Sequence, residues 1–319
     1  MPAVSVIIPV YKVERYIAQC ARSLFGQTLQ DIEYLFIDDC TPDRSMEILR
    51  QVLEDFPERE SQVTCHRMQH NSGQAQVRMY GITHVTGEYV IHCDSDDFVH
   101  PDAYRILYEA ASSGQYDIVS CNFLKGDGER WEPSREKVRP GQEASDILTG
   151  RFSYSLCTKL IRRRLLQGIM APTKDMGEDS VISVQAVCRA KRFLHLPKEL
   201  YYYRSNPLSI SRTAGEEDIM KRWRACKENV DLLAGLLQTE YGYREKSPEI
   251  VFIKYNCRHW LEPYIQDTFY FRLWKNTYPE IDSTFLFMPR ISLENKFWFV
   301  MIHLRLFHSI KRLTQKLRG

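Results

Sequence analysis

Acidic side chains collect at two points in the first hundred residues, each directly after a short apolar run. The first group is the pair Asp38-Asp39, and the second is the tract Asp94-Ser95-Asp96-Asp97. Carboxylates held this close repel one another unless a cation or hydrogen-bond donors compensate them. Oxygen ligands favour Mg²⁺ or Mn²⁺ over zinc, and such ions bridge protein carboxylates to a diphosphate. The tract therefore predicts a site for Mn²⁺ or Mg²⁺, whereas capping of the following helix is the alternative interpretation for any single aspartate.

The elements that must position these carboxylates alternate between two periods. Short apolar runs typical of strands occur at residues 4–8, 34–37, 62–68 and 89–93. Between them apolar residues recur at helical spacing, as at Ile17, Cys20, Ala21 and Leu24. This alternation predicts an α/β fold with a mostly parallel, Rossmann-like sheet covered by helices on both faces. Ligands of open parallel sheets bind outside the carboxyl ends of the strands, where both acidic groups fall.

Farther along the chain the pattern changes twice. Residues 101–113 and 117–121 continue it with a helix and a strand, but residues 125–141 lose periodicity and predict a long loop. Residues 142–215 are mixed, and from residue 216 onward the chain is mainly helical and rich in aromatic residues. A helical C-terminal region over residues 216–319 is therefore predicted.

Composition narrows the functional class. The 319 residues carry a net charge of only +2, so the molecule has no strong field for nucleic acid. Nine cysteines without a Cys-x-x-Cys pair indicate reduced, mostly buried thiols, which favours the cytoplasm. The N-terminus has no basic segment of a signal peptide, and the longest apolar run near the C-terminus is too short to cross a bilayer.

Several motifs, taken in their order, carry a family resemblance. Val4-Ser5-Val6-Ile7-Ile8-Pro9-Val10-Tyr11-Lys12, Asp38-Asp39, Asn71 with Gly73 and Arg78, and the Asp94–Asp97 tract resemble family 2 inverting glycosyltransferases of the GT-A fold. Later, Gly177-Glu178-Asp179 resembles the Glu-Asp motif of that family. Leu200-Tyr201-Tyr202-Tyr203-Arg204 with Ser209-Ile210-Ser211 resembles a segment that closes over the donor in many bacterial members. The members it resembles build bacterial cell-surface polysaccharides.

The resemblance implies roles for the residues near the nucleoside. Pro9 and Tyr11 flank the nucleobase, with Tyr11 stacking on it. Asp39, assisted by Asp38, accepts a hydrogen bond from a uracil-like ring nitrogen. Arg78 lies near the base or the phosphates.

It also implies roles at the diphosphate and at the acceptor. Asp94 and Ser95 bind the nucleotide sugar, with Asp94 at the ribose, while Asp96 and Asp97 ligate the metal. Asp179 is the general base. Arg204 and Lys159 neutralise donor phosphate, although an ordinary surface lysine is an equal alternative for Lys159.

The function implied by the resemblance is transfer of a sugar from a UDP-linked donor to a hydroxyl of a glycan or lipid-linked acceptor, with inversion. Residues 1–215 then form the catalytic domain, with a nucleotide-sugar half over residues 1–125 and an acceptor half over residues 126–215. Two other functions stay open. A sugar nucleotidyltransferase shares the sheet but usually has a Gly-rich loop after its first strand, and residues 9–15 contain no glycine. A non-catalytic nucleotide-sugar-binding homologue would not need Asp96 and Asp179.

The C-terminal tail is basic and amphipathic. From Lys296 onward the sequence has no acidic residue, and apolar residues recur at Ile302, Leu306, Ile310, Leu313 and Leu317. This pattern predicts a helix that lies on the anionic inner face of a cell membrane, helped by the aromatic run at residues 297–299. The alternative is a helix that packs on its own domain or on the second subunit of a homodimer.

Overall fold

The computed structural model describes residues 1–206, 216–289, 291–307 and 309–310. The chain forms two compact units, one of residues 1–147 and 151–213 and one of residues 148–150 and 214–319. Within the described ranges no helix has the length and apolar character needed to span a membrane.

The first unit contains one mixed sheet and the helices that cover it. Its strands are β1 (Val4–Val10), β2 (Ile32–Asp38), β3 (Val63–Arg67), β4 (Tyr89–His92), β5 (Phe98–Val99), β6 (Ile118–Gly126), β7 (Trp131–Pro133), β8 (Lys159–Arg162) and β9 (Phe193–Arg204). Its helices are α1 (Ile17–Phe25), α2 (Ser45–Glu54), α3 (Gln74–His84), α4 (Ala103–Gly114), α5 (Glu143–Leu148), whose last residue belongs to the second unit, and α6 (Glu178–Arg189).

The strand order is β3-β2-β1-β4-β8-β6-β9-β5, with β7 paired to β6. Strands β1 to β4 are parallel to one another, β8 runs antiparallel between β4 and β6, and β9 is parallel to β6. In this register Val10 lies beside Asp38, and Asp38 lies beside Arg67, so the ends of the first three strands meet at one edge. The predicted α/β fold with its Rossmann-like sheet is confirmed.

Helices cover both faces of this sheet. The side chains of Val4, Val6, Ile8 and Val10 pack in one core cluster with α1, α2 and α4. Ile7 points to the opposite face, where α3 passes so closely that a Cβ on Gly81 would lie 2.5 Å from Cγ2 of Ile7. A glycine at this position lets α3 approach β1, which brings the polar start of α3 to the carboxyl edge of the sheet.

The predicted long loop over residues 125–141 is wrong in its first part. Strand β6 continues to Gly126, and β7 turns back to pair with it, Leu124 facing Pro133. The ring of Trp131 meets those of Phe98 and Tyr202 edge-on, each at 5.4 Å between centroids. These contacts join residues far apart in sequence and hold a hairpin that local periodicity did not indicate.

The second unit is helical, as the sequence predicted. Its helices are α7 (Glu216–Thr239), α8 (Pro248–Cys257), α9 (Thr268–Asn276) and α10 (Leu293–His303). The rings of Tyr255, Phe285, Phe299 and Trp274 pack together, with Phe285 stacked on Phe299 at 4.5 Å. All four rings of this aromatic cluster are buried.

Two parts of the tail prediction need correction. Helix α10 ends at His303, and Arg305 has a left-handed φ of 59°, so no single helix runs through residues 302–310. Phe299 is buried in the aromatic cluster and is not an interfacial side chain. Residues 311–319, which carry four of the basic side chains, lie outside the described part of the chain.

Candidate active site

The carboxyl edge of β1 is tied to the acidic tract that follows β4. The hydroxyl of Ser95 donates to the carbonyl oxygen of Pro9 at 2.6 Å. Tyr11, two residues on, keeps 38% of its surface exposed, and the Lys12 ammonium lies 5.2 Å from its ring centroid. Ser95 therefore shapes the end of β1, and the Tyr11 ring is open to a planar ligand.

The carboxylates of Asp38 and Asp39 accept hydrogen bonds from backbone N–H groups. Both oxygens of Asp39 accept backbone N–H groups, from Ser72 at 2.6 Å and Gly73 at 3.0 Å. Asp38 accepts the N–H of Thr41 at 2.7 Å and lies 3.5 Å from the Arg67 guanidinium. Each buried carboxylate thus fixes a loop beside the edge of the sheet.

The start of α3 is capped by a residue that the sequence did not single out. Asp175, a hundred positions away, accepts the N–H of Ala75 at 2.9 Å. Gly73 precedes the helix with φ of +84°, and a Cβ there would lie 2.4 Å from a carboxylate oxygen of Asp175. Only glycine suits both the backbone and the space. Because Asp175 lies in a loop, no local pattern connected it with α3.

Arg78, on α3, joins two acidic regions that are far apart in sequence. It is 1% exposed, and its Nη2 donates to Oδ1 of Asp94 at 2.9 Å. Its Nε lies 3.5 Å from Glu178 and 3.4 Å from Asp179, at the start of α6. Burial disfavours the guanidinium charge, but Asp179 and Asp94 outweigh that cost and raise the pKa of Arg78. The arginine predicted near base or phosphate therefore compensates three carboxylates.

The Glu178-Asp179 pair is poorly solvated. Oδ1 of Asp179 is enclosed and has no hydrogen-bond partner among the described residues, although 25% of the side chain is exposed. Burial raises the pKa of Asp179, and the Arg78 charge offsets part of that rise. Burial and the neighbouring Asp179 also raise the pKa of Glu178. A carboxylate whose pKa is raised towards neutrality is a better proton acceptor than an ordinary aspartate.

The carboxylates of the acidic tract after β4 have different contacts. Asp97 accepts the Tyr201 hydroxyl at 2.6 Å and the N–H of Arg204 at 2.7 Å, so both oxygens hold β9. Asp96 accepts the amide of Asn206 at 3.0 Å. Burial and the charge of Asp94 raise the pKa of Asp96, and the side chain that donates to its carboxylate is a neutral amide.

Arg204 lies against this tract. Its Nε donates to the carbonyl oxygen of Asp96 at 3.1 Å, and a second guanidinium nitrogen donates to Gln19. The Tyr16 and Phe98 rings lie 5.3 and 5.6 Å from the guanidinium carbon. Arg204 is therefore positioned close to the predicted diphosphate region.

Lys159 has a different environment from the one expected. It is completely buried, and its ammonium donates to the carbonyl oxygens of Ser153 at 2.6 Å and Ser155 at 2.7 Å. The Phe152 ring lies 4.3 Å away, and burial lowers the pKa of Lys159 to about 8. Lys159 is thus not a surface lysine, and its hydrogen bonds hold the segment at residues 153–155 in place.

A cavity of about 420 Å³ lies beside Arg78 and the carboxylates that it compensates. It is lined by residues from α3, the tract after β4, β6, the segment before β8, the loop before α6, the start of α6 and β9: Gln74, Arg78, Asp94, Phe123, Lys125, Ser153, Tyr154, Ser155, Thr158, Asp175, Met176, Glu178, Asp179, Tyr201 and Tyr203. The cavity joins Asp94, Arg78 and Asp179 from the predicted site. Lys159, Asp39 and Arg204 do not line it. Phe123, Lys125 and Asp175 were missed, although alternation along β6 is a signal that could have found the first two.

The residues present suit a hard cation only in combination with a ligand. Among the described residues, no three His, Cys, Asp or Glu side chains are arranged to hold a metal alone. Mg²⁺, however, typically takes one or two carboxylates and completes its shell with phosphate oxygens and water. The carboxylate of Asp96, which accepts from a neutral amide, fits such a shared site.

Comparison with known proteins gives a consistent result. The sequence model described as "Glycosyl transferase family 2" matches residues 5–170. The glycosyltransferase EpsJ of Bacillus subtilis is 34% identical over 245 residues, covering 70% of this chain and 69% of its own. The glycosyltransferase GlyA of Streptococcus pneumoniae is 28% identical over 247 residues, but the match covers 73% of this chain and only 35% of GlyA.

Solved structures share the fold. Staphylococcus aureus TarS 1–349 in complex with UDP-GlcNAc superposes with a TM-score of 0.59 at 17% identity, covering 100% of this chain and 92% of its own. The mannosyltransferase PcManGT of Pyrobaculum calidifontis, in complex with GDP-Man and Mn²⁺, gives 0.55 at 15% identity, covering 99% and 88%. At these identities the likeness establishes the fold alone.

Proposed function

The chain belongs to glycosyl transferase family 2, and from that premise we propose that it transfers a sugar from a UDP-linked donor to a hydroxyl of a glycan or lipid-linked acceptor, with inversion at the anomeric carbon. One observation carries the proposal. Arg78 connects Asp94, at the predicted donor edge, with Asp179, the predicted base, around a single cavity.

The reaction is a single displacement. The acceptor hydroxyl gives its proton to the Asp179 carboxylate, and its oxygen forms a bond to the anomeric carbon. The bond from that carbon to the diphosphate oxygen breaks, and its electron pair leaves with the nucleoside diphosphate. Attack opposite the leaving group inverts the configuration.

The chain's own residues prepare the donor side. The exposed ring of Tyr11 stacks on the base, and Pro9, Asp38 and Asp39 shape its surroundings. Asp39 has lone pairs left beyond its two backbone donors, so it still accepts a hydrogen bond from the base. The proposal for the nucleotide is UDP, because Staphylococcus aureus TarS structures carry UDP and UDP-GlcNAc.

Charge on the diphosphate is balanced at the acidic tract. Asp96 is the carboxylate that would hold Mn²⁺ or Mg²⁺, and such an ion supplies neutralisation of the leaving diphosphate. Asp97, proposed from the motif as a second ligand, has both oxygens engaged with β9, so its part is to fix the tract. Arg204 adds positive charge beside Asp96.

The test is a panel of UDP-sugars and GDP-mannose, assayed with Mn²⁺ and with EDTA. We expect transfer or slow donor hydrolysis with a UDP-sugar and Mn²⁺, loss with EDTA, and an Asp96→Ala variant that no longer gains UDP affinity from the ion. The anomeric coupling constant of the product reports inversion. Retention, or equal UDP affinity with and without EDTA, contradicts the corresponding part of the proposal.

We place the enzyme in the cytoplasm, in peripheral contact with an anionic membrane. In the second unit Phe287 and Leu293 are each 84% exposed and Phe297 is 45% exposed. Exposed apolar side chains in a region whose sequence is basic from residue 296 onward suit a lipid interface, where each basic residue near the surface adds roughly 1 kcal/mol.

Vesicles test this placement. Phe287→Ser with Leu293→Ser should reduce sedimentation with phosphatidylglycerol vesicles and leave donor hydrolysis intact, while phosphatidylcholine vesicles bind neither protein. If the double variant instead changes the mass measured in solution from dimer to monomer, the surface is a homodimer contact.

A further inference from the structure

One wall of the cavity combines aromatic rings with a cation, and the roles proposed above for the donor use neither its Phe123 nor its Lys125. Strands β6 and β9 run parallel, with Phe123 beside Tyr201 and Lys125 beside Tyr203. Phe123, Lys125 and Tyr203 all line the cavity, and we call these three residues the β6–β9 wall. The rings of Phe123 and Tyr203 meet edge-on at 6.4 Å, so the wall combines an aromatic surface with a cation.

The aromatic part of the wall is distinct from the neighbouring aromatic cluster. Tyr202, between the wall positions, stacks on Phe98 at 4.4 Å and does not line the cavity. Phe123 and Tyr203 are half-buried and present part of their surface to the cavity. Flat, partly exposed rings in a polar cavity suit the apolar face of a sugar ring or the carbon chain of a polyol.

The cation of the wall has no anionic partner among the residues that the structure describes. The Lys125 ammonium makes no ion pair or hydrogen bond with any residue that the structure describes, and its nearest aromatic contact is Tyr203 at 5.8 Å. Glu132 lies opposite it on β7 without forming an ion pair. Arg78, the other cation of the cavity, is already engaged with three carboxylates.

The remaining charges of the cavity explain why a cation at the rim matters. Asp94, Asp175, Glu178 and Asp179 line the same space, so an anionic ligand approaching it meets repulsion unless a positive group receives it. Lys125 lines the cavity, is exposed and forms no ion pair with these carboxylates, so it supplies that group. A neutral acceptor would gain only a hydrogen bond to a hydroxyl from it, whereas an anionic acceptor would gain an ion pair.

Resting on the proposed transferase function, we propose that the acceptor is a sugar or polyol that carries an anionic group. Its carbon skeleton lies on Phe123 and Tyr203, its anion pairs with Lys125, and its reacting hydroxyl faces Asp179. Phosphate and carboxylate share this chemistry, since each offers oxygen acceptors to a lysine ammonium.

The experiment compares matched acceptors with the full-length protein and the UDP-sugar that gives turnover. The pairs are glycerol with glycerol 3-phosphate, and glucose with glucose 6-phosphate and with glucuronic acid. We expect kcat/KM to favour the anionic member. The Lys125→Gln variant should lose that preference by about tenfold, the scale of one charge-assisted hydrogen bond, through a higher KM for the anionic acceptor with kcat little changed.

Two controls keep the result specific. Lys125→Arg keeps the charge and should retain most of the preference. Lys198→Gln removes the same charge from an exposed position of β9 that does not line the cavity, and should leave the preference unchanged. The phosphate and carboxylate arms then show which anion the site takes.

The outcomes separate this inference from the function on which it rests. Equal use of neutral and anionic acceptors, or an undiminished preference in Lys125→Gln, overturns the anionic acceptor and leaves the transferase standing. Failure to transfer to any acceptor from any donor overturns the transferase function and this inference with it.

Discussion

The pairs Asp38-Asp39 and Glu178-Asp179 are both acidic and largely enclosed in the first unit, but their charges are compensated differently. Backbone N–H groups at 2.6–3.0 Å satisfy Asp39, and Asp38 has a similar partner in Thr41. Glu178 and Asp179 share one guanidinium at 3.5 and 3.4 Å, beyond close hydrogen-bond distance. The carboxylates that accept backbone N–H groups fix loops beside the site. The carboxylates that share one guanidinium, without a close hydrogen bond to it, keep the capacity to accept a proton.

The largest expected effect is on the rate of transfer, and it comes from removing the proton acceptor at Asp179. Asp179→Asn should lower transfer by about 10²–10⁴-fold, the usual contribution of a positioned general base. UDP affinity should stay nearly unchanged, because the amide keeps the shape of the side chain. Product formation and calorimetry with UDP check both halves. The control Asp175→Asn alters a cavity carboxylate whose contact is with backbone, and it should spare the rate more than Asp179→Asn does.

Removing the Arg78 guanidinium, which Glu178 and Asp179 share, should destabilise the folded protein. Arg78→Met leaves Asp94, Glu178 and Asp179 uncompensated, and breaking a buried ion pair this way typically costs about 3–5 kcal/mol. Carboxyl groups with a raised folded-state pKa hold protons more tightly than in the unfolded chain, so the loss should shrink as pH falls through those pKa values.

Urea unfolding of the unmutated protein and the Arg78→Met variant, at neutral pH and near pH 5, measures this difference. Arg78→Lys keeps a charge and should recover part of the stability. A loss that is independent of pH would mean that packing, and not charge, explains the role of Arg78.

A substitution in the Asp38-Asp39 pair should have a smaller effect, and it should change folding stability and nucleotide affinity. Asp39→Ala removes the acceptor for Ser72 and Gly73, which should lower both folding stability and UDP affinity by about 1–3 kcal/mol. Thermal unfolding and calorimetry report the two effects. If ADP and GDP bind the unmutated protein as tightly as UDP, Asp39 has no part in selecting uracil.

The smallest effect is expected from Glu178. Glu178→Gln removes a carboxyl group whose negative charge disfavours ionisation of the adjacent Asp179, so the acid limb of the transfer profile should move to lower pH. The rate at neutral pH should change little. A rate loss as large as that of Asp179→Asn would instead make Glu178 the proton acceptor.

The sequence predicted much of this architecture because the relevant signals are local. Apolar β-branched runs and helical spacing predicted the strands and helices of the first hundred residues, and the rule for parallel sheets predicted that Asp38 and Asp94 share an edge. The helical start at Glu178 also appears where acidic residues favour a helix N-terminus. That the motif residues perform the predicted chemistry stays a prediction.

Long-range contacts set the part that the sequence did not predict. Asp175 caps α3 across a separation of 100 residues, and the β7 hairpin depends on Trp131 meeting Phe98 and Tyr202. Lys159 lies in a strand-like run with Leu160 and Ile161, so its burial could be predicted from the sequence. The carbonyl oxygens to which its ammonium donates could not. The pairing of Arg78 with Asp179 likewise needed the packing of α3 beside α6.

The central claim is that Asp179, enclosed beside Arg78, is the general base. It is tested most directly by kcat as a function of pH at saturating donor, Mn²⁺ and acceptor, conditions that hold the metal ligands ionised. Activity should fall as pH drops through a pKa above the ordinary aspartate value of about 4, and Asp179→Asn should show a low rate without that acid limb. An acid limb that persists unchanged in the Asn variant would contradict the account.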